Sequence, residues 1–164
     1  MAASKIRPIP EGYHSVTPYL TIDGAERAIA FYKSAFGAKE ILRIAHPDGK
    51  IGHAELSIGD SKVMLSDEFP EMGAHGPQKF GGAGVSIHLY VEDVDATAKR
   101  ATAAGAKTLH AVENKFYGDR MGSFEDPFGH VWHVATHIED VPQQELHKRA
   151  QAAIAEHMKQ HAKA

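Results

Sequence analysis

The sequence contains no cysteine. Disulfide staples and thiolate metal sites are therefore excluded, and the lack fits a reducing compartment. No apolar run approaches the ~20 residues of a membrane-spanning helix. The N-terminal stretch MAASKIRPIPEG has no apolar signal core, so a cytoplasmic protein with no membrane partner is expected. Neither sign of charge dominates: 18 Lys and Arg are mixed with 21 Asp and Glu, for a formal net charge of −3. Such a balance offers no field for nucleic acid. Gly81, Gly82 and Gly84 form a glycine-rich run, but the Lys-Ser/Thr pair of a phosphate loop is missing, which leaves a flexible link. No glycine-rich strand-to-helix loop suits a nucleotide or a methyl-donor cofactor. What the 164 residues have in unusual number is histidine, 12 in all.

They also contain a repeat. Residues 16–39 read VTPYLTIDGAERAIAFYKSAFGAK and residues 85–107 read VSIHLYVEDVDATAKRATAAGAK. Each copy is an alternating strand, a helix and a Gly-Ala-Lys restart. Gly37 and Gly105 are 68 positions apart, and the same step carries Leu56 to Phe124, Val63 to Val131 and Met64 to Trp132. Two copies are too few for a solenoid. They predict an α+β fold of two tandem βαβββ modules, with curved mixed sheets around a groove and an extra C-terminal helix.

The modules are expected at 13–67 and 85–138 within one domain, 1–140, with a linker at 68–84 and a helical extension at 141–164. Residues 1–13 read as an extended lead-in. In module one, strands are expected at 14–22, 39–45, 53–58 and 62–66. Asp23 is the expected cap of a helix with Glu26 at capping-box spacing. Ala25, Ala28, Ile29, Tyr32 and Phe36 form its apolar face, and Gly37 its terminator. In module two, a strand at 85–91 precedes a helix at 93–104, and strands are expected at 107–113, 120–125 and 130–137. The linker is rich in Gly and Pro and long enough to cover a site. Met64 and Trp132, matched in the repeat, are expected to face the helices. A last helix over 141–162 carries Leu146, Ala150, Ile154 and Met158 at four-residue spacing.

Alternation gives each strand an apolar face, for the helices, and a second face. The second faces carry Thr17, Tyr19 and Thr21; His53, Glu55 and Ser57; Ser86, His88 and Tyr90; and His133. Singly, each of these polar residues reads as a solvated side chain on an open sheet. Together, three histidines and one carboxylate on one face of a duplicated unit predict a ligand groove.

The segments AERAIAFYKSAFGA, HAELSIGDSKVMLSDE, SIHLYVEDVDA, FYGDR and DPFGHVWHVATH resemble the vicinal oxygen chelate superfamily. That group includes glyoxalase I, extradiol dioxygenases and bleomycin-resistance proteins, and the last four segments resemble its PhnB-like branch. The resemblance covers about residues 13–140. It implies a metal held by one residue on the first strand and one on the last strand of each module. Those positions fall on Thr17, Leu65, Ser86 and His133, of which only His133 is a good ligand. The usual metal site is therefore not preserved. A displaced zinc, nickel or iron site at His53, Glu55, His88 and His133 is an alternative.

Two functions are compatible with these residues. One is a glyoxalase-like lyase or isomerase for a small oxygenated molecule, with Glu55, His53, His88 and His133 as catalytic groups. Thr17, Tyr19, Ser86, Tyr90 and Arg120 would hold the substrate. Arg120 reads equally as the partner of Asp119 in a surface turn. The other function is non-catalytic binding of a planar or cationic molecule or antibiotic, with Tyr19, Tyr90 and Phe80 as stacking surfaces. The apolar stripe of the last helix predicts a homodimer. Whether the groove forms within one chain or across two is left open by the sequence.

Overall fold

The computed structural model describes residues 6–161. Residues 1–5 and 162–164, the outer ends of the expected lead-in and tail helix, lie outside the described residues. Two βαβββ units succeed one another. The first contains β1 (Tyr19–Ile22), α1 (Ala25–Phe36), β2 (Lys39–Ala45), β3 (Ile51–Ile58) and β4 (Ser61–Asp67). The second contains β5 (Ser86–Tyr90), α2 (Val94–Ala103), β6 (Lys107–Asn114), β7 (Asp119–Glu125) and β8 (Val131–His137). Helix α3 (Gln143–His161) comes last. Each unit forms a four-stranded mixed sheet, ordered β1-β4-β3-β2 and β5-β8-β7-β6. The first strand of each pairs in parallel with its last, and the other pairs are antiparallel. No helix among the described residues is long and apolar enough to cross a membrane.

Several local expectations are corrected. β1 begins at Tyr19, not near residue 14. Pro18 has no N–H to give to β4, so the ladder starts with its carbonyl, which accepts from Met64 N at 2.9 Å. Val16, expected on the apolar face, is 85% exposed. Asp23 does not cap α1. Gly24, at φ 95, adds a left-handed residue before the helix. The cap is instead Asp67 at the end of β4, whose Oδ1 accepts from Gly24 N (3.1 Å) and Ala25 N (2.8 Å). Asp93 does cap α2, accepting from Ala96 N at 2.9 Å, and Gly37 ends α1 at φ 68. The linker contains two 3-10 turns, Pro70–Met72 and Pro77–Phe80.

The repeat step is 68 at the helix ends but 67 at the sheet edges. Leu20 pairs with Leu65, and Ile87 with Trp132. Leu65 is thus the counterpart of Trp132, and both are buried. Met64 is on the opposite face, beside Tyr19 and Glu55 in the register.

Helices α1 and α2 pack against each other, and aromatic side chains join the modules. Trp132 of β8 meets Tyr32 (5.3 Å between ring centroids) and Phe36 (4.7 Å) of α1. Asp126 in the β7–β8 turn fixes this joint. Its Oδ2 accepts from Tyr32 Oη (2.7 Å) and Trp132 Nε1 (3.0 Å). Its Oδ1 accepts from Phe128 N (2.9 Å) and His130 N (3.0 Å). Only 3% of Asp126 is exposed. Asp126→Ala would strand four donors, two of them on buried aromatic side chains. The expected loss in chemical denaturation is on the order of 3 kcal/mol, against about 1 kcal/mol for Tyr32→Phe. Equal, small losses from both variants would remove Asp126 from this role.

Candidate functional site

The polar faces bring two groups of side chains together, one on each sheet. On the first, Tyr19 Oη lies 3.1 Å from His53 Nδ1, and His53 Nε2 lies 3.1 Å from Glu55 Oε1. The Tyr13 hydroxyl, from the lead-in, donates to the other Glu55 oxygen. That bond, then His53, holds the Glu55 carboxyl below the usual range for Glu. Desolvation, then the contact with Glu55, pushes the Tyr13 phenol up to about 12. An ionised Glu55 only accepts, so His53 must present Nε2–H to it and leave Nδ1 as an acceptor. The Tyr19 hydroxyl then donates to His53. Tyr19, His53 and Glu55 form a linear relay.

On the second sheet, His88 and His133 are register partners in the parallel pair β5–β8, with rings 6.2 Å apart. Ser123 Oγ is 2.7 Å from His133 Nδ1. Burial lowers the His133 pKa, and His88 and His110 lower it further. Tyr90 packs on His88 (4.7 Å) and donates to Asp119 Oδ2 at 2.9 Å. Asp119 is also 2.8 Å from His137 Nδ1.

A cavity of about 650 Å³ separates the edges of β1 and β5. Tyr19 and Thr21 line one wall, Ser86 and His88 the other, and Phe80 comes from the linker. The linker approaches the end of β1 closely at Gly76, where a Cβ would lie 3.1 Å from Thr21 O. His130 Nε2 contacts the same carbonyl at 3.2 Å. Thr17, Tyr90 and Lys62 line a second cavity of about 360 Å³, which His88 also reaches.

Arg120 is apart from this group. Its fork pairs with Asp95 at 2.7 and 2.8 Å, and with Asn114 at 3.0 Å. The partner is a helix carboxylate two positions beyond the α2 cap rather than the neighbouring Asp119. Tyr13, Ser123 and Asp119 are site residues that the sequence pattern did not mark. Tyr13 precedes any strand, so no alternation includes it. Ser123 could have been found, since it is two residues from Glu125 on the groove side of β7.

The ligand arrangement implied by the resemblance does not fit this chain. Leu65 is buried in the core, and Thr17 and Ser86 offer neutral hydroxyls. The displaced set divides between the sheets, His53 with Glu55 and His88 with His133. Among the described residues no three His, Asp or Glu side chains converge in an arrangement able to hold a metal ion.

A family model described as Glyoxalase/Bleomycin resistance protein/Dioxygenase superfamily matches residues 13–134. The chain belongs to this superfamily. It is 43% identical over 135 residues to the Mycobacterium tuberculosis protein Rv0887c, covering 80% of this chain and 79% of that one. Among solved structures, it resembles the Arabidopsis thaliana At5g48480 product, at 28% identity and a TM-score of 0.61. That match covers 75% of this chain and 98% of that one. It also resembles TioX from Micromonospora sp. ML1, at 26% identity and a TM-score of 0.58, covering 79% and 100%. Members of the superfamily include enzymes and resistance proteins, so membership fixes the scaffold and leaves the chemistry to the site.

For this superfamily member, the depressed His133 pKa has a measurable consequence. The folded state disfavours the imidazolium, so the unfolded chain takes up the proton at higher pH. His133 then contributes stability above the ordinary His value of about 6.5 that is lost as pH falls through its lower folded value. NMR titration should place the His133 midpoint below the ordinary His value of about 6.5. His88→Gln should raise it only slightly, because burial is the larger cause. A midpoint at or above the ordinary value would contradict the assignment.

Proposed function

We propose that the cleft is the active site of a metal-independent isomerase or lyase-type enzyme acting on a small carbonyl compound. The observation that supports this best is the hydrogen-bonded chain Tyr19–His53–Glu55, whose first member, Tyr19, lines the larger cavity. Glu55 orients His53 through Nε2–H and compensates the imidazolium that forms when Nδ1 takes a proton. His53 Nδ1 takes the Tyr19 proton as the phenol oxygen removes a proton from the carbon beside the substrate carbonyl. The C–H bond breaks, an enolate forms, and the relay returns the proton to the enolate at another carbon or face. His88, on the opposite wall of the cavity, would donate to the enolate oxygen. Such positioned acid–base groups contribute about 10²–10⁴-fold to a rate.

The test is deuterium incorporation into neutral α-hydroxyketones in D2O, monitored by proton NMR. The wild-type protein should exchange the α-proton above the buffer rate. Tyr19→Phe and His53→Gln should each lose about 10²-fold or more, while Arg120→Gln should retain the rate. Equal exchange by wild type and Tyr19→Phe would sink the reading. A non-catalytic binding role is the second reading, favoured by the exposed rings of Phe80 (73%) and Tyr90 (60%). Placement in the PhnB-like branch is proposed from HAELSIGDSKVMLSDE, SIHLYVEDVDA, FYGDR and DPFGHVWHVATH together, and a reducing compartment fits the lack of cysteine.

A homodimer is also proposed, built by the tail. Arg149 anchors the start of α3 to Glu139 (2.8 and 2.9 Å). Further along, Ile154 and Met158 are 60% and 66% exposed and lie outside the core. Strand β2 carries exposed Ile41, Leu42 and Ile44, a matching apolar surface for a second copy. Sedimentation should give a dimer for the full chain, and a monomer after truncation beyond Val141 or for Ile154→Glu/Met158→Glu. A monomeric full chain at micromolar concentration, or a dimer indifferent to these changes, would rule the tail out of assembly.

A further inference from the structure

The larger cavity is bordered by two sheet edges whose main-chain groups are unused. Met64 N donates to Pro18 O, and Glu68 N to Ile22 O at 3.0 Å. Pro18, Leu20 and Ile22 therefore turn their peptide groups toward β4, and Tyr19 and Thr21 turn theirs toward the cavity. The contact of the Thr21 carbonyl with His130 agrees with that direction. On β5, Val91 N donates to Ala135 O at 2.8 Å. Ile87 and Leu89 thus face β8, while Ser86 and His88 turn outward. The N–H and C=O of Tyr19, Ser86 and His88 have no hydrogen-bond partner among the described residues. Thr21 and Ser86 meet at the larger cavity, and Thr17 and Tyr90 at the smaller, so the edges run in opposite directions.

The second observation is electrostatic. No Asp, Glu, Lys or Arg lines the larger cavity. A charged ligand entering it would lose hydration and gain no counter-charge. A neutral ligand with amides would gain main-chain partners on both sides, as extended chains do at sheet edges. Val16, Phe80 and Val85 supply apolar surface around those edges.

We propose that the cleft takes a neutral ligand bearing secondary amides, of the blocked or cyclic dipeptide class. Its amide edges pair with the main chain at Tyr19 and at Ser86 and His88. A cationic ligand is disfavoured. The inference deepens the proton-transfer reading and rests on it only for the chemistry after binding. In such a ligand the carbon between amide and carbonyl carries the acidic hydrogen that the relay would remove.

The test is a proton–nitrogen NMR titration of the full chain with cyclo(Ala-Phe), its N,N′-dimethyl derivative and the linear zwitterion Ala-Phe. The amide signals of Tyr19, Ser86 and His88 should shift saturably with the first compound. The dimethyl derivative should bind about tenfold or more weakly, the loss for one or more hydrogen bonds, and the zwitterion likewise. Arg120→Gln, apart from the cavity, should bind cyclo(Ala-Phe) unchanged. Unmoved amides at those three positions, or equal affinity for the dimethyl derivative, would overturn the amide site. Binding without exchange in the wild type would end the relay and leave the amide site standing.

Discussion

The Asp126 carboxylate is the constraint on which the cleft depends. It sits in a turn of the second module and receives a phenol from the first. Two of its other bonds hold the backbone of its own turn, and through His130 the hold extends to the cavity wall. A tight four-donor shell around one buried carboxylate is directional in a way that apolar packing is not. Trp132, Tyr32 and Phe36 supply the area burial, and Asp126 sets their registration. The distance between the β1 and β5 edges depends on that registration. An aliphatic joint of equal area would leave the two sheets free to settle at other separations.

Much of this was legible in the sequence. A repeated strand–helix pattern marked both modules, and α1 and α2 lie close to their expected ranges. Alternation also put His53, Glu55 and His133 on the sides opposite the buried residues of their strands, and His88 opposite the half-buried Ile87 and Leu89. The failures have local physical causes. The turn from strand to helix is shorter in module one, where two residues separate Ile22 from Ala25, than in module two, where three separate Tyr90 from Val94. Strands β1 and β4 match β5 and β8 at a step of 67, while the helix ends match at 68, which put Met64 on the face away from the helices. The Asp67 cap was illegible because it comes from a strand 42 positions later than the helix start it serves. Arg120 was likewise paired across space, with Asp95. Side-chain partners at long sequence separation leave no periodic trace.

The two walls divide the electrostatics unequally. The first holds an ionised carboxylate, shielded from the cavity by His53 and Tyr19. The second holds a partly buried imidazole, His133, kept toward its neutral form. No Asp, Glu, Lys or Arg lines the cavity, and an ionised carboxylate lies behind the first wall alone. In the proposed mechanism, a proton passed from Tyr19 to His53 would approach Glu55, which would compensate the developing imidazolium. The same motion toward the second wall would meet an imidazole that resists protonation. On that reading, the direction of proton movement would follow from what lies behind each wall.

This layout also accounts for the missing ligand set. A metal site needs side chains from four strands to converge on one point. Here Leu65 faces the core, and the polar groups that remain are grouped within each sheet rather than between them. In the proposed site, the unpaired edges of β1 and β5 would hold the ligand through main-chain groups. That would leave the Tyr19 side chain to act as an acid–base group while its own N–H and C=O bind, so binding and proton transfer would meet at one residue without competing for the same atoms.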